Sequence, residues 1–132
     1  MFDRERVTHA FKALSDPTRL RMLRLLAANK AEICVCEFVD ALRERQCNVS
    51  RQLKLLQVAG LVRGEKDGRW IYYGLAPGKD PIVSALYRLV ARLPDDEVFA
   101  GDQERFDGRM RLRTDGRCRM GIQTPALASH SG

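Results

Sequence analysis

The chain has 132 residues, 45% of them hydrophobic, with 23 Lys+Arg against 17 Asp+Glu and a formal net charge of +6. That length suits one domain with or without an extension, the apolar content excludes wholesale disorder, and no apolar run nears the ~20 residues that cross a bilayer. The N-terminal Met1-Phe2-Asp3-Arg4-Glu5-Arg6 is charged and lacks the apolar stretch of a signal peptide, which points to a cytoplasmic protein with no membrane partner. Its four cysteines then read as reduced thiols rather than a disulfide framework.

In chain order, Val7, Ala10, Phe11 and Leu14 recur at helical spacing and define a first helix. Ser15-Asp16-Pro17 stops it and starts a second, with Asp16 as N-cap and Pro17 at the first helical position. Leu20, Leu23 and Leu26, flanked by Met22 and Leu25, give that second helix a broad apolar face. A short third helix carries Phe38, Val39, Ala41 and Leu42, with a break around residues 43–46. The fourth carries Val49, Leu53, Leu55 and Leu56 and stops at Gly60, suited to a left-handed cap. The period then changes. Residues 61–64 and 69–73 are β-rich runs joined by Glu65-Lys66-Asp67-Gly68, a hairpin signal. A last helix follows, with Ile82, Val83, Leu86, Leu89, Val90 and Leu93 on one face.

This order predicts a mainly α fold with a small β-hairpin, a winged helix-turn-helix. Residues 1–93 form its DNA-binding and dimerisation body, with 17 basic and 10 acidic residues. Residues 94–132 hold 6 and 7, lose the apolar periodicity, and read as an extension ordered only in part that carries Cys118.

A helix-turn-helix places its second helix in the DNA major groove. On the fourth helix Val49, Leu53 and Leu56 face inward, leaving Asn48, Ser50, Arg51, Gln52 and Lys54 for base edges and phosphates. Lys66 and Arg69 at the hairpin tip reach for a neighbouring phosphate or the minor groove. The apolar faces of the first and last helices are wide for so small a core, and they mark a homodimer surface. Such a dimer sets two reading helices ~34–36 Å apart on a near-palindromic operator.

Residues 11–23, Phe-Lys-Ala-Leu-Ser-Asp-Pro-Thr-Arg-Leu-Arg-Met-Leu, resemble the opening of the ArsR/SmtB family of metal-responsive repressors. Glu32-Ile33-Cys34-Val35-Cys36-Glu37-Phe38 is similar to that family's metal box, and residues 48–53, 59–62 and 69–75 resemble its recognition helix and wing. The resemblance implies a homodimer that leaves operator DNA when a thiophilic ion binds. Cys34 and Cys36 match the box used by arsenic- and antimony-responsive members, so the implied inducer is As(III) or Sb(III), with no organic cofactor. Members responding to cadmium or lead add cysteines from an N-terminal arm, and the arm before Val7 has none. Zinc- and nickel-type members use histidines on the last helix, which are lacking between Asp80 and Leu93. Val39 stands where arsenic-type members carry a third cysteine, so the third sulfur must come from elsewhere.

Cys118 is the proposed third ligand, brought in by a flexible tail from its own or the other subunit. Flanking Arg117 and Arg119 should lower its thiol pKa. Cys47 stands across the third helix from Cys34, at its opposite end, and fits the site less well. Residues two apart on a helix point about 200° apart, so Cys34 and Cys36 could share an ion only if the third helix started to unwind. Two readings compete. A cadmium/lead- or thiol-redox-responsive repressor would keep the fold and change the signal. A thiol enzyme would need a general base, and only His9 and His130 exist.

Overall fold

The computed structural model describes residues 2–77 and 80–128. Helix α1 spans Arg4–Ala13 and α2 spans Pro17–Asn29. Asp3 and Asp16 cap them, their carboxylates accepting from the N–H groups of Arg6 at 3.1 Å and Arg19 at 3.0 Å. A two-residue strand β1 (Ile33–Cys34) leads into α3 (Val35–Leu42), and α4 covers Gln46–Val58. Strands β2 (Val62–Asp67) and β3 (Trp70–Leu75) form the wing, followed by α5 (Pro81–Ala91) and α6 (Glu97–Met110).

The fold is a winged helix-turn-helix, mainly helical with a small antiparallel hairpin, as the patterning predicts. Gly60 takes φ +78° just after α4, where a side chain would strain the backbone. The hairpin is tighter than expected. Residues 65–67 extend β2, and only Gly68, at φ +64°, and Arg69 make the turn. Sequence patterning also missed β1, which pairs Ile33 with Tyr73 and Cys34 with Tyr72 to give a three-stranded sheet in the order β1-β3-β2. Two residues carry too little alternation to be seen, yet the pairing fixes Cys34 at the root of the wing.

The core gathers around α2. Met22, Leu23, Leu25 and Leu26 pack with Phe38, Val39 and Leu42 of α3, Leu53 and Leu56 of α4, and Leu61 before the wing, all essentially buried. Val83, Leu86 and Val90 of α5 close the other side of α2.

The charge break at residue 94 is no break in packing. The helix expected to be last is α5, and α6 follows it, lying against α3 and α2. Its inner face is polar rather than apolar, since Asp102 and Arg109 are buried beside Phe106. Arg21 of α2 grips Asp102 in a two-pronged pair at 2.9 and 2.8 Å, and Arg105 donates to the Ala41 carbonyl at 2.7 Å. Hydrophobic periodicity cannot reveal a helix anchored by ion pairs. Beyond α6 the chain folds back over α3 as far as a 3-10 turn at Pro125–Leu127. The remaining tail, with His130, lies outside the described residues.

Candidate metal centre and nucleic-acid interface

Three cysteines from three different elements meet in one buried cluster with Tyr72. Cys34 is not in α3. It is the N-cap, with extended backbone (φ −81°, ψ 160°), and ends β1. Cys36 lies in the first turn of the helix. The 200° separation expected within a helix therefore does not apply, and the two residues already share one buried cluster without any unwinding. Cys118 arrives on the loop after α6. Its N–H donates to the Tyr72 hydroxyl at 3.0 Å, and its Sγ lies 3.5 Å from Cys36 Sγ. The expected mobile tail is thus a held loop, and the approach is made within one chain. Cys47, on α4, is exposed and outside the cluster.

Four charged side chains missed by sequence reading complete the surroundings. The Glu37 carboxylate is fully buried and accepts from the Cys34 N–H at 3.0 Å. Arg113 binds it with two prongs, Nε to Oε2 and Nη2 to Oε1, each at 2.8 Å. Arg109, 4% exposed, sets its Nη2 3.6 Å from both Cys36 Sγ and Cys118 Sγ. Its Nη1 donates to Asp40 on α3 at 3.0 Å, and its Nε is the one buried side-chain nitrogen or oxygen without a partner among the described residues. The run of arginines from 109 to 119 is the visible signal, in a stretch that sequence reading takes for an extension ordered only in part.

These neighbours set the thiol ionisation. Cys36 is lowered to about 7, chiefly because the Cys34 thiol donates to it, helped by Cys118 and by the positive Arg109 against the opposing effect of burial. Cys34 is raised, first by that same hydrogen bond and then by burial and Glu37. Cys118 is raised to about 11, by burial first and then by Glu37 and Cys36. The expectation of an activated Cys118 is therefore corrected, because the activated sulfur is Cys36. Folding favours the Cys36 thiolate, so its contribution to stability is full above the ordinary pKa of 9 and is lost as pH falls through about 7. Thiolate absorbance of the reduced protein should accordingly show a step with midpoint near 7 that disappears in Cys36→Ser.

The donor set is soft. Three cysteines sharing one buried cluster suit a thiophilic ion, and among the described residues no histidine joins them. Glu37 and the sulfurs of Cys34 and Cys118 offer ligand atoms within 4.8 Å of one another. His9, the general base an enzyme would need, is exposed on α1.

The second helix of the helix-turn-helix presents Ser50, Arg51 and Lys54 to solvent. Asn48 and Gln52 are half-buried and engaged in a chain of hydrogen bonds. Arg19 donates to Gln52 at 2.7 Å, Gln52 to Asn48 at 3.0 Å, and Asn48 to Glu44 at 3.2 Å. That chain ties α4 to α2, a bracing role that polarity alone did not predict for these two residues. Lys66 and Arg69 are exposed on the wing, with the Arg69 guanidinium 4.9 Å from the centre of the Trp70 ring.

A helix-turn-helix with an exposed basic second helix and a basic wing defines a DNA-binding protein of the winged-helix class. Residues 16–63 match the bacterial regulatory proteins of the arsR family. The chain is 39% identical over 89 residues to an uncharacterized HTH-type transcriptional regulator of Methanocaldococcus jannaschii, covering 67% of this chain and 96% of that one. It is 36% identical over 108 residues to the arsenic resistance transcriptional regulator ArsR2 of Pseudomonas putida, covering 81% and 87%. Among solved structures it resembles the homodimeric winged helix-turn-helix DNA-binding domain Mb0332 of Mycobacterium bovis, at 30% identity and a TM-score of 0.56, over 68% of this chain and 83% of that one. The chain belongs to the ArsR/SmtB family of transcriptional regulators. No described helix is long and apolar enough to cross a membrane.

Proposed function

We propose that this regulator represses transcription by binding operator DNA as a homodimer, and that it is released when As(III) or Sb(III) is held by Cys34, Cys36 and Cys118. The observation that carries this reading is the gathering of Cys34, Cys36 and Cys118, from β1, α3 and the loop after α6, in one buried cluster, with Cys36 and Cys118 Sγ 3.5 Å apart. As(III) forms three bonds to sulfur in a pyramid, and three thiols displace the three hydroxyls of arsenous acid as water. The arsenic resistance regulator of Pseudomonas putida supports the same assignment.

On the DNA side, Ser50, Arg51 and Lys54 with the wing residues Lys66 and Arg69 would contact bases and phosphates. Asn48 and Gln52 would do so at the edge of their bracing network. Phe11, Ile82 and Leu89 are 59%, 45% and 58% exposed, and with Val7, Ala10 and Leu86 they line an apolar groove between α1 and α5. That groove is the face through which two copies would pair, as the homodimeric Mycobacterium bovis domain suggests.

Coupling would run through Arg109, which touches two sulfurs and Asp40 at once. α3 carries Asp40 and supports α4. Bonding Cys36 to arsenic removes the thiolate that Arg109 faces, leaving Asp40 as its anionic partner and resetting the contact between α3 and α6. Moving a population from 1:99 to 99:1 needs ~5.5 kcal/mol of preference for the released state. The same coupling makes operator DNA weaken metalloid binding.

Fluorescence anisotropy of an operator fragment, titrated in turn with As(III), Sb(III), Cd(II), Pb(II) and Zn(II), tests this. As(III) and Sb(III) should release DNA at the lowest concentrations. Release by Cd(II) or Pb(II) alone would reassign the ion, and release by none would end the proposal. The 3.5 Å contact between Cys36 and Cys118 favours one other reading, a thiol-redox switch that joins these sulfurs. Release of metal-free protein by peroxide, abolished in Cys118→Ser, would select it.

A further inference from the structure

Among the described residues, Glu37 is the one carboxylate grouped with the sulfurs. Its oxygen lies within 4.8 Å of Cys34 Sγ and Cys118 Sγ, and it is fully buried. A Zn(II) or Cd(II) ion that captured three thiolates would gain from a fourth donor, because such ions close a tetrahedron. The Glu37 carboxylate is nonetheless spoken for. Oε1 accepts from the Cys34 N–H at 3.0 Å and from Arg113 Nη2 at 2.8 Å, and Oε2 accepts from Arg113 Nε at 2.8 Å. Arg113 is itself anchored, donating to the Glu32 carbonyl at 2.6 Å and the Gly116 carbonyl at 3.3 Å. The fork cannot follow the carboxylate toward an ion without breaking contacts at both ends of the site.

We propose that Arg113 withholds Glu37 from coordination and thereby fixes the site as three-coordinate, which selects pyramidal As(III) or Sb(III) against ions that need a fourth ligand. The proposal rests on reading Cys34, Cys36 and Cys118 as the metalloid site. Charge acts in the same direction. Three thiolates neutralise As(III) fully, so the buried Arg113–Glu37 and Arg109–Asp40 pairs stay balanced. A divalent ion on three thiolates leaves one negative charge, and adding Glu37 leaves two while stripping Arg113 of its partner. Burial of unbalanced charge is strongly disfavoured. The loop from 113 to 118 thus supplies both the third sulfur and the lock on the fourth donor.

The test compares Cd(II) and As(III) binding to the purified full chain by competition titration, with the ligand set read by X-ray absorption. In Arg113→Gln, Cd(II) should bind about tenfold or more tightly relative to As(III), and an oxygen ligand should appear. Arg113→Gln with Glu37→Gln should return the preference to that of the wild type, because a neutral amide replaces the carboxylate. Glu37→Gln alone, in which the positive Arg113 is kept beside the thiolates, should not lower the Cd(II) affinity. This single variant decides the matter even if Arg113→Gln fails to fold: loss of Cd(II) affinity would show that Glu37 already coordinates and overturn the proposal. An unchanged preference in a folded Arg113→Gln would overturn it equally. If wild-type As(III) shows no three-sulfur coordination at all, the underlying site assignment fails instead.

Discussion

Replacing Cys118 with serine should weaken As(III) binding by more than about 100-fold, beyond the loss typical of removing a group that merely supports a metal ligand. The fold should survive. Cys118 is 1% exposed, but its backbone N–H keeps the Tyr72 hydroxyl, and a serine hydroxyl in its place can accept from Arg109. Operator affinity without metalloid should therefore stay near that of the wild type, while release by As(III) requires far higher concentrations. Arsenic absorption spectroscopy gives the second readout, a three-sulfur signature reduced to two. Unchanged affinity and an intact three-sulfur signature would show that this residue is no ligand.

Asp40→Ala should strongly destabilise the fold. This buried carboxylate accepts from Arg109 at 3.0 Å, from the N–H groups of Gln123 and Thr124, and from the Thr124 hydroxyl at 2.7 Å. Alanine leaves the Arg109 guanidinium buried without its anion, a change that costs about 3–5 kcal/mol. For a chain of this size that is a melting temperature lower by roughly 10–20 °C, measured by calorimetry on metal-free protein. Asp40→Asn keeps one acceptor oxygen for the loop and should recover part of the loss. A melting temperature within a degree or two of the wild type would mean that the loop over α3 is held by other contacts.

The parts of the fold legible in the sequence are those written in apolar spacing and turn chemistry. Asp16-Pro17 starts α2, Gly60 ends α4 and Gly68 turns the wing, each because only certain side chains tolerate those backbone positions. The ends of α2 and α3 carried no such mark, since Lys30 and Arg43 adopt left-handed backbone there without being glycine. Two of the three cysteines stood out through their spacing. Their geometry did not, because whether Cys34 belongs to a helix or caps one depends on pairing with Tyr72, which lies 38 positions away in a strand. The loop that delivers Cys118 was hidden for a different reason. Its foundation, α6, buries Asp102 and Arg109 where a readable helix would bury leucines, so ion pairing replaces the periodic signal. Glu37, Arg109 and Arg113 followed from that omission.

All three clustered sulfurs belong to one polypeptide. Sensing would then be counted per polypeptide. In a population mixing intact and damaged copies, each intact one retains its full capture capacity whatever its neighbour has lost, and total uptake declines in simple proportion rather than as the square of the intact fraction. Such a detector is portable: the segment from α6 onward could in principle accompany the cysteine pair onto another winged scaffold without redesigning how two copies meet.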